Sequence, residues 1–433
     1  MFFKIYSFGC KVNQYESEFI KQIMCADGHE YTDCDDKAEI FIVNSCSVTA
    51  VSDSKCRKLL RKLRRVNPES IILLCGCMSQ AFPRKYDNFN MCNIVIGNTT
   101  RSRVPEYIRQ YLNTKENIID IMDHDRKNES FEPCSVSNFS ERTRAFVKIE
   151  DGCDRFCSYC VIPYARGRVR SKPLDELKSE VSLLAKNGYE EIVLVGINLS
   201  KYGTDIGLTL SDAVECVAEE EGINRIRLGS LEPELLDDVT ISRLAACDKF
   251  CPQFHLSLQS GCTETLKRMN RRYTNSEYAE IVARIRRNFD NSSITTDVMV
   301  GFPGETEEEF KESLDFVTGI GFAKVHVFPY SRRSGTVADK MPDQIDNSVK
   351  EQRAKIMSDS CETKRLEFME SQVGLVCEVL FERPDSNGFY EGYSKNYTPV
   401  SVDTKGVDIS GKSFNVLITG FDKERCFGVI SED

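Results

Sequence analysis

The sequence contains no apolar run long enough to cross a membrane as a helix, which requires about 20 residues. Its first ten residues, MFFKIYSFGC, hold too short an apolar run for a secretory signal peptide. These two absences predict a chain without a membrane partner, located in the cytoplasm.

An excess of positive charge is also missing. The 433 residues carry 57 Lys and Arg against 67 Asp and Glu, a formal net charge of −10. This balance argues against bulk electrostatic attraction to nucleic acid. One stretch departs from it, since Ser52–Val66 holds seven Lys and Arg and a single acid, Asp53. On a predicted helix of about four turns, this basic stretch is either an RNA-binding surface or a solvated face.

A disulfide framework is not expected, although the chain has 19 cysteines. Such frameworks belong to short secreted chains, and this chain is long and without a secretory signal. We assign six cysteines to two groups of three metal ligands. We interpret the other thirteen as small apolar residues in a reducing interior.

The first group lies in GCDRFCSYC, where Cys153, Cys157 and Cys160 have the spacing C-x-x-x-C-x-x-C. Three thiolates this close can ligate three irons of a 4Fe–4S cluster and leave the fourth iron open to a small molecule. The alternative is a zinc knuckle or incidental cysteines. Structural zinc sites normally have four protein ligands, whereas this motif offers three. Tyr159 lies where an aromatic ring can cover the cluster edge.

The second group comes from residues 1–138, where strands and helices alternate as in a doubly covered parallel sheet. Cys10, Cys46 and Cys77 each follow an apolar strand. Carboxyl ends of parallel strands share one edge, so these three thiolates are expected to converge. Cys75 competes for the third position. Cys77 is favoured, because it begins the loop while Cys75 belongs to the strand.

Residues 139–370 contain six predicted strands separated by helices, which indicates a partial (β/α)6 barrel. Chemistry in such barrels lies at the carboxyl ends of the strands. Six polar residues there are candidates for binding a cofactor, or else ordinary barrel-layer residues: Asn198, Ser230, Glu232, Ser257, Gln259 and Asp297. The glycine-rich GFPGE, residues 301–305, lets backbone approach a nucleoside closely.

Cations and two tyrosines also follow these strands. Guanidinium groups suit phosphate, and exposed tyrosine rings can stack on an unpaired base. The candidates are Arg166, Arg168, Arg170, Lys172, Lys267, Arg268, Arg271, Arg272, Arg332 and Arg333, with Tyr164 and Tyr330.

Residues 371–433 read as short alternating strands, typical of a small all-β barrel. Ten acids and six bases give this segment a net charge of −4. If the segment binds RNA, it does so through a few local groups. Tyr390, Tyr393 and Tyr397 are candidate stacking residues, or equally core and strand-pair aromatics.

The motifs resemble a known family. GCDRFCSYC is similar to the signature of the radical S-adenosylmethionine (SAM) superfamily. GCKVNQYES, NSCSVT and GCMSQ resemble the three cysteine motifs of the methylthiotransferases within it. The resemblance implies an α/β chain of three parts: a Rossmann- or flavodoxin-like amino-terminal domain, a radical SAM barrel and a carboxyl-terminal TRAM-like barrel. It also supports Cys77 over Cys75, and gives Asn13 either a role in shaping the auxiliary site or a capping role.

The same resemblance implies two 4Fe–4S clusters and SAM as cofactors. SAM would chelate the open iron held by Cys153, Cys157 and Cys160, with the six polar residues around it. Cys10, Cys46 and Cys77 would hold the auxiliary cluster. No catalytic side chain is singled out.

The first motif is most like the bacterial branch that methylthiolates C2 of N6-threonylcarbamoyladenosine, next to the anticodon in tRNA, with two SAM molecules. The implied partners are tRNA, an electron donor such as flavodoxin or ferredoxin, and a sulfur source. The alternatives are isopentenyl-adenosine in tRNA or an aspartate of a ribosomal protein. A hypothesis of another class is a non-catalytic, zinc-containing RNA-binding protein.

Overall fold

The computed structural model describes residues 1–47, 50–81, 90–124, 129–139 and 143–431. Across these residues, no helix combines the length and apolar character that crossing a bilayer requires. The architecture is mixed α/β with a closed β-barrel at the carboxyl terminus, so the predicted fold class is confirmed.

The amino-terminal part is one six-stranded parallel sheet of order β2-β1-β3-β4-β5-β6. Its strands are β1 (Phe2–Ser7), β2 (Glu30–Tyr31), β3 (Ile40–Ser45), β4 (Ile71–Gly76), β5 (Ile94–Ile96) and β6 (Ile118–Asp120). Its helices are α1 (Lys11–Ala26), α2 (Ala50–Val66), α3 (Cys77–Ala81) and α4 (Val104–Thr114). Every residue of β3 and β4 is buried, as their continuous apolar runs require in a sheet covered on both faces.

The central part is a partial barrel of parallel strands in two sheets, β11-β10-β7 and β12-β13-β14-β15. The strands are β7 (Arg144–Lys148), β10 (Glu191–Val195), β11 (Arg225–Leu228), β12 (Ser230–Leu231), β13 (Gln253–Leu256), β14 (Ser293–Val300) and β15 (Lys324–Pro329). The predicted third strand is interrupted at Gly229, so that β11 pairs with β10 and β12 with β13. A small antiparallel pair, β8 (Glu150–Asp151) and β9 (Arg170–Ser171), encloses the cysteine loop.

Helices cover the outside of the barrel. They are α5 (Ile162–Arg166), α6 (Leu174–Lys186), α7 (Leu210–Ala218), α8 (Asp238–Ala245), α9 (Thr263–Arg268), α10 (Asn275–Asn288), α11 (Glu307–Ile320) and α12 (Asn347–Glu370). Thr306 and Glu309 form the expected capping box of α11. The 24-residue α12 has no counterpart in the sequence analysis. Its buried residues include Lys350 and Arg353, so its inner face lacks an apolar period.

The carboxyl-terminal part is a closed five-stranded barrel of order β16-β17-β18-β20-β19. Its strands are β16 (Val376–Pro384), β17 (Phe389–Ser394), β18 (Pro399–Asp403), β19 (Ser413–Phe421) and β20 (Cys426–Ile430). Tyr390 belongs to the apolar core of this barrel with Phe381 and Val416. Of the two interpretations of Tyr390, the structure therefore supports the core residue.

The small barrel docks on the central barrel through buried arginines. Arg225 pairs with Glu378 at 3.0 Å, and Arg227 donates to the Ser394 carbonyl at 2.7 Å. Tyr393 and Tyr397 stack with ring centroids 4.5 Å apart, and Arg144 lies 4.7 Å from the centre of the Tyr393 ring. These two tyrosines, proposed above as stacking residues for RNA, thus have their rings engaged in the interface between the barrels.

Glu191 of the central barrel neutralises the positive charge of the arginines at this interface. It accepts from Arg225 Nε at 2.7 Å and from Arg227 Nε at 2.8 Å. Burial alone would raise the pKa of Glu191, but Arg227, Arg225 and Arg144 lower it to about 2. A depressed pKa stabilises the fold above the ordinary value of 4.5, and this contribution is lost as the pH falls toward 2.

We expect Glu191→Gln to lower the free energy of unfolding by about 3–5 kcal/mol at neutral pH, because it removes the carboxylate that the buried Arg225 and Arg227 guanidinium groups share. Urea unfolding measures the change. Lys178→Gln is the control: Lys178 pairs with Glu219 at 3.2 Å on the surface, and no measurable change is expected. A Glu191→Gln variant as stable as the unaltered protein would contradict this account of the interface.

Candidate metal centre

The loop carrying Cys153, Cys157 and Cys160 lies between β8 and α5 and is fixed by its backbone. Gly152 has φ of +96°, and a Cβ there would collide with the Arg168 carbonyl, so this position requires glycine. The Cys153 N–H donates to the Gly167 carbonyl at 2.9 Å. The two ends of the loop are therefore held together before any ligand binds.

Each of the three sulfurs of this loop has a nitrogen donor within reach. Asn198 Nδ2 lies 3.7 Å from Cys153 Sγ, and Arg271 Nη1 lies 3.5 Å from Cys157 Sγ. The Ile162 N–H lies 3.4 Å from Cys160 Sγ. Hydrogen bonds to the sulfurs are a feature of iron–sulfur sites, where they stabilise negative charge. The donor set therefore fits a 4Fe–4S cluster held by these thiolates.

Cys10, Cys46 and Cys77 lie at one edge of the amino-terminal sheet, because β1, β3 and β4 are neighbouring parallel strands. A Cβ at Gly9, whose φ is +107°, would lie 2.8 Å from Cys46 Sγ, so glycine lets the first motif pass close to the second. Cys77 is the first residue of α3 and is buried. The expectation that it begins a loop is wrong in detail, because the chain turns directly from β4 into the helix.

Arg166 connects this second triad to the barrel. Its Nε lies 3.3 Å from Cys77 Sγ, and its Nη2 donates to Asn13 Oδ1 at 3.2 Å. The same Asn13 oxygen lies 3.4 Å from Cys10 Sγ. Asn13 thus contacts both Arg166 and Cys10, and its role in shaping the auxiliary site stays a prediction. A cation beside two of the three sulfurs fits the negative charge of a thiolate-bound cluster.

Cys75 lies fully buried in β4 and packs with Ile42 and Ile94 in the apolar core of the sheet. Its position favours a packing role over a ligand role. Among the residues described, no three or more His, Cys, Asp and Glu side chains form a group suited to a single metal ion. A 4Fe–4S cluster takes one thiolate per iron, so its ligands need not meet at one point.

Two acceptor atoms next to Cys153 have no hydrogen-bond partner among the described residues. They are Asn198 Oδ1 and Glu150 Oε1, both buried. The other Glu150 oxygen accepts from the Asn198 N–H at 2.6 Å, and burial raises the pKa of Glu150 well above its usual range. Unpaired buried acceptors are costly, and a cationic donor such as the ammonium group of SAM would satisfy them. The sequence analysis did not single out Glu150, because its contact with Asn198, 48 residues away, exists only in the folded chain.

The other candidates for SAM binding separate into two places. Glu232 pairs with Arg271, which connects it to the Cys157 sulfur. The Ser257 carbonyl accepts from Arg271 Nη2 at 2.9 Å. Gln259 has φ of +70°, and its N–H donates to the Asp297 carbonyl at 2.9 Å.

Ser230 and Asp297 line a large cavity inside the barrel instead. A role of any of the six residues in binding SAM stays a prediction. The GFPGE loop is not open to a nucleoside at Gly301, because a Cβ there would collide with the Lys350 side chain of α12.

Most of the predicted cationic rim is engaged inside the protein. Arg166, Arg170 and Lys172 are buried and pair with Glu16, Glu129 and Glu180 respectively. The remaining engaged groups are Arg268 with Glu309, Arg271 with Glu232, and Arg333 with Asp53; Tyr330 is also buried. The residues of the rim that remain exposed are Arg168, Lys267, Arg272 and Arg332, with Tyr164. Six of the ten predicted cations are therefore engaged in ion pairs inside the protein, and phosphate binding by the four exposed cations stays a prediction.

Glu16, in the first cysteine motif, is the anion at the centre of the contact between sheet and barrel. Its carboxylate lies 2.9 Å from both Lys148 Nζ and Arg101 Nη2 and also pairs with Arg166. Burial raises the pKa of Glu16, but these three cations outweigh it and hold the pKa at about 2. The carboxylate is thus charged at neutral pH. Its ion pairs with Lys148 and Arg166 of the barrel hold the two triads in a fixed position relative to each other.

We expect Cys77→Ala to reduce the bound iron from about eight atoms per chain to about four, because each cluster holds four irons. Cys157→Ala should remove the other four. Cys75→Ala is the matched control, two residues from Cys77, and should retain the full iron content. Iron analysis after anaerobic reconstitution measures all three variants. Loss of iron in Cys75→Ala with full iron in Cys77→Ala would contradict the assignment.

Two family models match the chain. "Radical SAM superfamily" matches residues 147–317, and "Uncharacterized protein family UPF0004" matches residues 3–97. The two matches contain the barrel triad and the amino-terminal triad, respectively.

Curated relatives are similar over nearly the whole chain. Threonylcarbamoyladenosine tRNA methylthiotransferase MtaB of Bacillus subtilis is 36% identical, over 95% of this chain and 92% of its own. The Aquifex aeolicus protein of the same name is 37% identical, over 95% and 98%. The tRNA-2-methylthio-N(6)-dimethylallyladenosine synthase of Thermoanaerobacter sp. is 35% identical, over 97% and 90%.

A solved structure shares the fold. It is the radical S-adenosylmethionine methyltransferase TsrM from Kitasatospora setae, with a TM-score of 0.59 at 13% identity, covering 78% of this chain and 73% of that one.

Proposed function

The chain belongs to the radical SAM methylthiotransferases of tRNA, and on that premise we propose that it methylthiolates C2 of N6-threonylcarbamoyladenosine next to the anticodon. We further propose two 4Fe–4S clusters, held by Cys10, Cys46 and Cys77 and by Cys153, Cys157 and Cys160, and two SAM molecules per product. An electron donor such as flavodoxin or ferredoxin and a sulfur source complete the proposal.

The observation that carries this proposal is the position of Arg166. It lies six residues after Cys160, yet its guanidinium contacts Cys77 Sγ at 3.3 Å. One short helix, α5, therefore connects the two cysteine triads, and the region between them is shared by the sheet and the barrel. Transfer of a sulfur group to a radical requires this proximity, because the reacting groups must be held within a few ångströms.

In this proposal, the side chains of the protein bind the clusters and SAM and orient them. When bound, the clusters and SAM supply the radical and sulfur chemistry that an unactivated aromatic C–H bond requires. Asn198 and Glu150 offer acceptors beside Cys153, and Arg271 holds a positive charge against Cys157. The Glu16 network keeps the two parts from separating.

The alternatives have unequal support. Four relatives with the threonylcarbamoyladenosine name are 32% to 37% identical, and four with the dimethylallyladenosine name are 32% to 35% identical. The two ranges overlap, so the first substrate is favoured only by the two highest identities, and the second is retained. The relatives' tRNA names favour tRNA over a ribosomal protein. Membership of this enzyme family leaves the hypothesis of a non-catalytic zinc protein without support.

Deleting the gene should remove the methylthio group from threonylcarbamoyladenosine in cellular tRNA and leave the isopentenyl nucleoside unchanged, because only the first is the proposed substrate. Mass spectrometry of tRNA nucleosides measures both. Complementation with the gene should restore the group, and complementation with Cys157→Ala should not. Loss of methylthio from the isopentenyl nucleoside alone would refute the substrate while retaining the family.

Helix α2 offers the proposed contact with tRNA. Its single acid, Asp53, is buried and pairs with Arg333 at 3.0 Å. Arg64 is used internally, donating to the Ser70 carbonyl at 3.0 Å. The exposed face carries Lys55, Lys58, Arg61, Lys62 and Arg65. Because its only acid is turned inward, α2 presents positive charge, and this supports phosphate binding despite the net charge of −10.

We expect the double variant Lys55→Ala, Lys58→Ala to weaken tRNA binding and to reduce the salt dependence of log Kd by about 1.4 to 1.8, which corresponds to two lost phosphate contacts. Filter binding at several salt concentrations measures the slope. The matched control is Lys186→Ala, Lys311→Ala, two exposed lysines on α6 and α11. Equal slopes for the two double variants would exclude α2 as a phosphate-binding surface.

A further inference from the structure

A cavity of about 1450 Å³ is lined by strands of the central barrel, including its two outer strands, β7 and β15. All three parts of the chain line it. Lys11 comes from α1, Phe146 and His326 from the two outer strands, and Tyr397 from the small barrel. Among the described residues, the lining holds no cysteine; it extends from the small barrel to Lys11, the first residue of α1, which follows Cys10 in the chain.

The wall formed by β13, β14 and β15 is polar. Its residues in the cavity include His255, Thr295, Asp297 and His326. The Asp297 side chain keeps 32% of its surface exposed, and His326 is exposed. The interior of a filled (β/α) barrel is instead packed with branched apolar side chains. Open space lined by polar groups in this position indicates a binding site rather than a core.

This polar wall is ordered by its own hydrogen bonds. His255 Nδ1 lies 3.0 Å from Thr295 Oγ1, and His255 Nε2 lies 3.3 Å from Asp297 Oδ2. Both nitrogens of His255 are thus engaged, and the imidazole holds one oxygen of Asp297 in place. A carboxylate fixed in this way is an acceptor for hydroxyl or amide donors of a ligand.

The end of the cavity at α1 carries a cation. Lys11 is the first residue of α1, and its ammonium lies 5.9 Å from the centre of the Phe146 ring. A lysine beside an aromatic ring, in space shared by sheet and barrel, can attract a carboxylate that enters the cavity. The cavity thus combines an ammonium at one end with an anchored carboxylate on its wall.

The two candidate nucleosides differ in what this cavity could recognise. A threonylcarbamoyl group carries a carboxylate, a hydroxyl and amide N–H groups, whereas an isopentenyl group carries only carbon and hydrogen. We propose that the cavity binds the threonylcarbamoyl side chain. Lys11 pairs with its carboxylate, and Asp297, held by His255, accepts from its hydroxyl or amide donors. This inference rests on the proposed function and makes these side chains the determinants of its specificity.

The test uses anticodon stem-loop RNAs of one sequence, with unmodified adenosine, threonylcarbamoyladenosine or isopentenyl-adenosine at the target position. Their Kd values for the full-length, cluster-loaded protein are measured anaerobically by fluorescence anisotropy. The unaltered protein should bind the threonylcarbamoyl loop most tightly. Lys11→Gln should weaken that complex about tenfold, since a charged hydrogen bond is lost, and leave the unmodified loop unchanged. Asp297→Asn should show the same selective loss.

Lys21→Gln is the matched control. Lys21 lies on the same helix and lines the same cavity, but ten residues further along α1, which is about 15 Å at 1.5 Å per residue. Lys21→Gln should keep the full preference for the threonylcarbamoyl loop. This result would show that the loss in Lys11→Gln comes from a local contact and not from the removal of one positive charge. Iron content and unfolding midpoint of Lys11→Gln show whether the site next to Cys10 is intact, and Lys11→Arg should restore part of the preference.

The inference is overturned if Lys11→Gln and Asp297→Asn both keep the preference, or if the variants weaken all three RNAs equally. Nucleoside mass spectrometry separates this failure from that of the proposed function. Loss of methylthio from threonylcarbamoyladenosine on gene deletion, with an unchanged preference in both variants, rejects the cavity assignment alone. An unaltered protein without preference for the threonylcarbamoyl loop rejects the assignment and also counts against the substrate.

Discussion

The buried guanidinium of Arg166 is the contact on which the arrangement of the molecule depends. A charge without access to water needs anions around it, and here Glu16 comes from the amino-terminal sheet while Asp151 comes from the barrel. The same group contacts the Cys77 sulfur. Separating the two parts would take Glu16 away from Lys148 and Arg166 of the barrel. The relation between the two parts is therefore set by electrostatic pairing together with Val12, Tyr15 and Phe19 of α1, which pack into the apolar core of the barrel.

Buried ion pairs also hold the interface between the central barrel and the small barrel. The burial of acids in such pairs explains how a protein with a net negative charge can present a basic surface to RNA, as proposed. Arg225 and Arg227 are buried where the small barrel docks, and Glu378 of that barrel is used there. Much of the positive charge of the chain is thus internal, together with the acids that balance it. The net charge of −10 describes the whole molecule and not its surfaces. Helix α2 keeps a basic outer face because Asp53 is turned inward against Arg333.

The strands of the central barrel differ in how deeply their side chains are buried, and this difference separates strands that pack from strands that are open to a ligand. β10 is buried throughout, whereas β15 alternates between exposed and half-buried residues. The barrel is open between β7 and β15, so the strands near the opening have solvent where a closed barrel would have core. Polar side chains on these strands then cost little in the free protein and are available to a ligand.

The sequence by itself determined most of the strands and helices and the two groups of candidate cysteine ligands, because periodicity and spacing are local properties of the chain. The capping box of Thr306 and Glu309 was readable for the same reason. Only the tertiary structure decided which charges are buried. Arg166, Arg170 and Lys172 follow a loop as surface cations would, and their acidic partners are distant in sequence or hidden by the local pattern. Helix α12 lacked an apolar face because Lys350 and Arg353 occupy it, and Glu150 gained its position beside Cys153 only through the packing of β8 against the barrel. Long-range charge pairing leaves no periodic trace in a single sequence, and for this reason the internal network and the cavity could be found only in the folded chain.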